Sequence, residues 1–178
     1  MAELIADMFV SLDGYAKGVD YGPYFDYGGP ELDGWVAQAL ATPQVLLMGR
    51  VTYGLLAEMS GDPSSGPMNE QPKAVFSNTL AEPLSWPNTR LLSGDFAGAM
   101  ATLKKESDVP IRSIGSLRLV RGLIEHGLLD RLRLLVFPLV VGDRGREPMF
   151  AGHPGTGFAL AGTTVLDSRL VLLEYRPA

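Results

Sequence analysis

The chain has 178 residues and no cysteine, which excludes disulfides, thiol catalysis and thiolate metal sites. Its formal net charge of −5, with 15 basic against 20 acidic residues, leaves no basic footprint for nucleic acid and no polybasic patch for a membrane surface. The opening MAELIADMFVSLDG lacks a basic n-region and a long apolar core, so no signal peptide is expected, and the longest apolar run, LRLLVFPLVVG, is too short to span a bilayer.

No repeat, low-complexity tract or linker divides the sequence, so residues 1–178 are expected to form one domain, in the cytoplasm. Periodicity predicts the elements in turn. Leu4 to Val10 reads as a strand, and Glu31 to Leu40 as a helix opened by Pro30. Val45 to Met48 is a short strand buried on both faces, followed by a helix over Val51 to Met59. SGDPSSGPMNEQP, residues 60–72, is a Gly/Pro/Ser loop. Ala74 to Phe76 and Arg90 to Leu92 are strands, and Ser93-Gly94-Asp95 caps a helix over Phe96 to Lys105. Strand Ile111 to Ile114 leads into a helix over Ser116 to His126, with Leu117, Val120, Leu123 and Ile124 on one face. Leu132 to Val141 is a long strand. Phe158 to Leu166 and Arg169 to Tyr175 meet at Asp167-Ser168 as an antiparallel hairpin. The alternation predicts an α/β fold: three layers, with a mostly parallel central sheet flanked by helices and a C-terminal antiparallel hairpin.

In such sheets ligands sit at the carboxyl ends of the strands. Three strand-to-helix corners there carry unusual chemistry. At Gly49-Arg50-Val51-Thr52, a glycine permits close backbone approach, helix-start amides favour anions, and an arginine fork and a hydroxyl suit phosphate. The same residues also read as a tight turn with a solvated arginine. Ser77-Asn78-Thr79 offers either ribose or phosphate contacts or a side-chain-capped turn. Gly115-Ser116-Leu117 offers either a diphosphate seat or a plain N-cap at Ser116. Neither GxGxxG at such a corner nor GxxxxGK[ST] occurs, so an ordinary Rossmann domain and a P-loop are not supported. Together the corners suit one long dinucleotide laid across the strand ends, and an arginine there fits the 2′-phosphate of NADP.

The ordered set VSLDGY, LLMGRVTYGLL, PKAVFSNTL, IGSLRLVRGLIEHGLLDRLRLLVFPLVVG and LLEYRP, which covers nearly the whole chain, resembles the dihydrofolate reductase-like superfamily. Within it, the chain is similar to single-domain proteins related to the C-terminal reductase domain of bacterial riboflavin-biosynthesis enzymes. The resemblance implies a dimeric, NADPH-dependent reductase of a small heterocycle, a pteridine or aminopyrimidine. It implies that Gly49, Arg50 and Thr52 hold phosphates, with Arg50 on the 2′-phosphate. Ser77 and Asn78 then lie near the adenosine end, and Gly115, Ser116 and Leu117 line the diphosphate. The alternative is a non-catalytic NADP(H)-binding module.

Hydride transfer to a C=N or C=O group also needs a proton. Asp33 stands sixteen residues before Gly49, the register in which dihydrofolate reductases carry an acid; it also reads as a first-turn aspartate favouring the helix dipole. Asp13 belongs to the loop that the resemblance places over the nicotinamide and substrate, and it also reads as an Asp-Gly turn. Tyr15, Tyr21, Tyr24, Phe25 and Tyr27 either stack on a planar ring or anchor a lid. Arg144 and Arg146 either meet a phosphorylated substrate or are solvated. His126 reads as a helix C-cap, and with His153 as the only other histidine no metal site is expected. The apolar strand 132–141 and the hairpin expose more hydrophobic edge than a small domain covers, so a homodimer is expected.

Overall fold

The computed structural model describes residues 1–18, 24–153 and 155–178. Tyr21 lies outside them, as does the side chain of Phe25. The chain forms two compact units: Met1–Ala6 with Leu40–Asp130, and Asp7–Ala39 with Arg131–Ala178.

The first unit is built on a parallel sheet. Strand β1 is Leu4–Ser11, of which residues 4–6 belong here; β3 is Val45–Gly49, β4 Lys73–Phe76, β5 Thr89–Leu92 and β6 Ile111–Ser113. Their order is β5-β4-β3-β6-β1, and Gly49 stands opposite Phe76 while Leu47 stands opposite Ser113. Central parallel strands are buried on both faces, and Leu46, Leu47 and Met48 are indeed fully buried. Helix α2, Arg50–Glu58, covers one face: its Tyr53 and Leu56 pack with Leu46, Met48, Val75 and Trp86. Side chains alternate along a strand, so Phe76 points to the other face. There it meets Phe96 of α4, Phe96–Glu106, edge-on at 5.0 Å. Helix α5, Leu117–Glu125, buries Leu119, Val120, Leu123 and Ile124.

The second unit continues β1 as residues 7–11, beside β7, Arg131–Phe137, and the hairpin of β9, Phe158–Leu166, and β10, Leu170–Pro177; the order is β1-β7-β10-β9. Helix α1, Pro30–Ala41, covers one face through Leu32, Trp35 and Val36, which pack with Leu135, Phe137 and Leu172. The hairpin turns on Asp167 and Ser168, both at positive φ (52° and 54°), with the Arg169 amide donating to the Leu166 carbonyl. That is the type I′ geometry whose twist matches the strands.

The predicted mostly parallel sheet with helices and an antiparallel C-terminal hairpin is the observed fold. Beyond shifts of a residue or two at element ends, three features differ from expectation. The long strand stops at Phe137, because Pro138 has no N–H for a ladder. The 60–72 loop contains a short helix α3, Gly66–Glu70, with a proline in its first turn. A two-stranded ribbon, β2 (Tyr15–Gly18) with β8 (Gly145–Pro148), escapes periodicity because both segments are short and rich in Gly, Pro and charge.

Candidate functional site

Two corners of the first unit meet. Strand β3 passes directly into α2, with Gly49 as N-cap at φ −89°, a conformation any residue adopts. Its glycine is required for space instead. A Cβ there would stand 2.6 Å from Ser116 Oγ and 2.8 Å from Ser116 Cβ. Across the contact, Gly115 and Ser116 have φ of +120° and +83°. A Cβ on Gly115 would lie 3.5 Å from Thr52 Oγ1. Gly49, Thr52, Gly115 and Ser116 are thus one cluster.

That cluster joins the starts of α2 and α5. Neither helix has a side-chain cap bond or an acidic residue in its first turn. Ser116 takes the N-cap position foreseen for it, but its hydroxyl makes no cap bond. The first amides of a helix lack intrahelical partners and carry the positive end of the dipole. Two such ends side by side, with exposed Arg50 and half-buried Leu117 beside them, suit a phosphate or diphosphate.

At the remaining corner, Ser77 is buried and its Oγ accepts the amides of Thr79 and Leu80, each at 3.1 Å. Exposed Asn78 accepts the Gly94 amide at 2.6 Å and donates to the Gly94 carbonyl at 3.4 Å. The Ser77 bonds are those of a capped turn, and the Asn78 bonds tie that turn to the one at Gly94.

In the second unit, the Asp13 carboxylate accepts Ser11 Oγ–H at 2.7 Å, the Gly142 amide at 2.8 Å and the Val141 amide at 3.2 Å. The Ser11 hydroxyl and these amides hold its pKa below the ordinary aspartate value. Asp13 therefore buckles the turn after β1 to the segment after β7. Asp33 stands exposed in the first turn of α1, its amide donating to the Gly29 carbonyl. Tyr24 is buried against Phe137 and donates its hydroxyl to the Tyr15 carbonyl at 2.9 Å; burial raises its pKa. Arg146 donates to the carbonyls of Asp143 and Gly145 within its own loop. His126 Nδ1 bonds the Gly122 carbonyl at 2.9 Å, a C-terminal cap.

Two arrangements were not visible in the sequence. The hairpin-turn Asp167 caps α1, accepting the amides of Glu31 at 2.9 Å and Leu32 at 3.0 Å, while the Glu31 carboxylate accepts the Asp167 amide. Asp7 of β1 pairs with Arg133 of β7 at 2.5 and 2.8 Å, and the guanidinium lies 5.1 Å above the Trp35 ring. Both join residues more than 120 positions apart, beyond any local pattern. Among the described residues, no group of three or more His, Asp or Glu side chains is placed to hold a metal, and no helix is long and apolar enough to cross a membrane.

A family model described as the RibD C-terminal domain matches residues 2–172. No curated protein matches the chain. Among solved structures, a putative riboflavin biosynthesis protein from Shewanella sp. PV-4 aligns with TM-score 0.79 at 22% identity, covering 100% of this chain and 99% of that one. A diaminohydroxyphosphoribosylaminopyrimidine deaminase/5-amino-6-(5-phosphoribosylamino)uracil reductase from Thermotoga maritima aligns with TM-score 0.68 at 14% identity, over 99% of this chain and 57% of that longer protein. Dihydrofolate reductase from Enterococcus faecalis, complexed with NADP(H) and RAB-propyl, aligns with TM-score 0.64 at 14% identity, over 98% and 96%.

Proposed function

The chain belongs to the family of RibD C-terminal domains, and from that premise we propose that it is an NADPH-dependent reductase of a small pteridine- or aminopyrimidine-type heterocycle. The observation that carries the cofactor is the Gly49–Ser116 contact, which sets two uncapped helix starts together beside Arg50. In this reading Gly49, Thr52, Gly115, Ser116 and Leu117 seat the diphosphate, Arg50 pairs with the 2′-phosphate, and Ser77 and Asn78 border the adenosine. Bound NADPH supplies the hydride. The protein orients the acceptor ring, and Asp33 is our candidate to move a proton, since the Asp13 carboxylate is already engaged by three donors. Asp13 then serves by fixing its loop.

A second reading, an NADP(H)-binding module without turnover, draws on the exposure of Asp33 in the first turn of α1. NADPH binding followed by NADPH oxidation with a panel of pterins and aminopyrimidines separates the two. Binding with no oxidation favours the module, and no binding sinks both.

We also propose a homodimer. Val136, Val171 and Val165 stand in register on one sheet face, with Leu134 and Leu173 beside them. Strand β9 forms a sheet edge without a charged residue, and its Leu160 and Val165 are 60% and 59% exposed. Uncharged edges of this length invite pairing. A monomeric mass in light scattering at micromolar concentration counts against it.

A further inference from the structure

The Asp7–Arg133 pair asks for an explanation that stability does not give. Asp7 is 8% exposed, and the Arg133 side chain 15%. Burying two charges costs more than burying two apolar side chains of similar volume, and such a replacement is often neutral or stabilising. Arg133 also lies on the sheet face that α1 covers: Arg133, Leu135 and Phe137 alternate to the same side of β7, and the last two pack with Leu32 of α1. That helix also carries Asp33.

The pair leaves one part of the guanidinium unused. Nε and Nη2 donate to the two Asp7 oxygens, which fixes the fork in a bidentate geometry. The Trp35 ring fixes its plane. Nη1, with two N–H groups, has no partner among the described residues and is not sealed from solvent. Asp7 cancels the positive charge, so this edge does not call for an anion. An arginine has donors and no acceptor. The edge therefore accepts a neutral oxygen in the plane of a ring, and an exocyclic amino group facing it would set donor against donor.

We infer that Arg133, held by Asp7 and Trp35, is a specificity-determining donor that selects a flat heterocycle presenting a ring carbonyl oxygen over one presenting an amino group. Asp7 is a positioning residue, acting through Arg133. The inference rests on the reductase reading for the existence of a heterocyclic substrate.

Calorimetric titration with pteridine-2,4-dione and with 2,4-diaminopteridine tests it. The wild-type protein should bind the dione at least about tenfold more tightly, roughly 1.4 kcal/mol. In R133K, which keeps a charge opposite Asp7 without the planar fork, the preference should fall to about threefold or less. In D7L/R133M, which removes both charges together, it should vanish, with the melting temperature retained and NADPH affinity within about twofold. A wild-type protein without preference for the dione overturns the inference. So does a preference that survives in R133K, or competition by inorganic phosphate at concentrations comparable to the dione. Failure of the wild type to bind NADPH, with the dione preference intact, sinks the cofactor reading and leaves this one standing.

Discussion

Replacing Gly49 with alanine tests the junction on which the cofactor reading depends. The new Cβ would lie 2.6 Å from Ser116 Oγ and 2.8 Å from Ser116 Cβ. The hydroxyl can swing aside by a χ1 rotation, but the Cβ is fixed to the backbone, so the start of α5 must move. Overpacking of this kind costs about 1–3 kcal/mol. Ser116→Gly removes both clashing atoms and also relieves a non-glycine residue at φ +83°, a strain of about 1–2 kcal/mol. G49A alone should thus lose about 1–3 kcal/mol in urea unfolding, S116G alone should gain about 1–2, and the double variant should exceed the sum of the two by the clash energy. NADPH affinity, followed by fluorescence titration, should fall in G49A because the two helix starts are pushed apart. A G49A protein with wild-type stability, or a double variant that is merely additive, refutes the close-contact account of this glycine.

Arg50→Ala should weaken NADPH by about one to two decades, the worth of a charge-assisted bond of roughly 1.5–3 kcal/mol, and leave NADH nearly unchanged; equal losses for the two cofactors in parallel titrations sink the 2′-phosphate assignment. Lys73 is 2% exposed, donates to the carbonyls of Met68, Asn69 and Gln71, and burial lowers its pKa from 10.5 to about 8. Between those values the unfolded chain holds the proton that the folded one has shed, so stability from this group rises with pH from about 8 to 10.5, by no more than about 3 kcal/mol, with the three carbonyls holding the gain below that limit; urea midpoints of wild type and Lys73→Met at pH 7.5 and 10 should differ in slope by this contribution, and parallel slopes count against it. Asp33→Asn should keep NADPH affinity and lower turnover on any accepted pterin by roughly 10²–10⁴-fold, less at low pH where bulk acid protonates the substrate; unchanged turnover assigns the proton to water.

What the sequence made legible follows from the range of the interactions involved. Strand β3 and the α2 start rest on patterns a few residues long and appear within a residue of where periodicity places them, while the face of α5 buries the expected Val120, Leu123 and Ile124 with Leu119 in place of Leu117. The Asp167-Ser168 turn was legible for the same reason, since only a two-residue gap separates the strands. Its use as the cap of α1 was not, because a cap from a distant loop leaves no spacing rule. Gly49 shows the limit most clearly. From the sequence, its lack of a side chain reads as room for a ligand. In the structure that room is taken by Ser116. The two accounts are compatible only because Ser116 brings its own helix start with it: the space a Cβ would fill sets α5 beside α2. A phosphate at this corner would therefore be held by the second helix as much as by the arginine next to the glycine. The local motif points to the corner, and the long-range contact would supply half of the charge of the anion site proposed there.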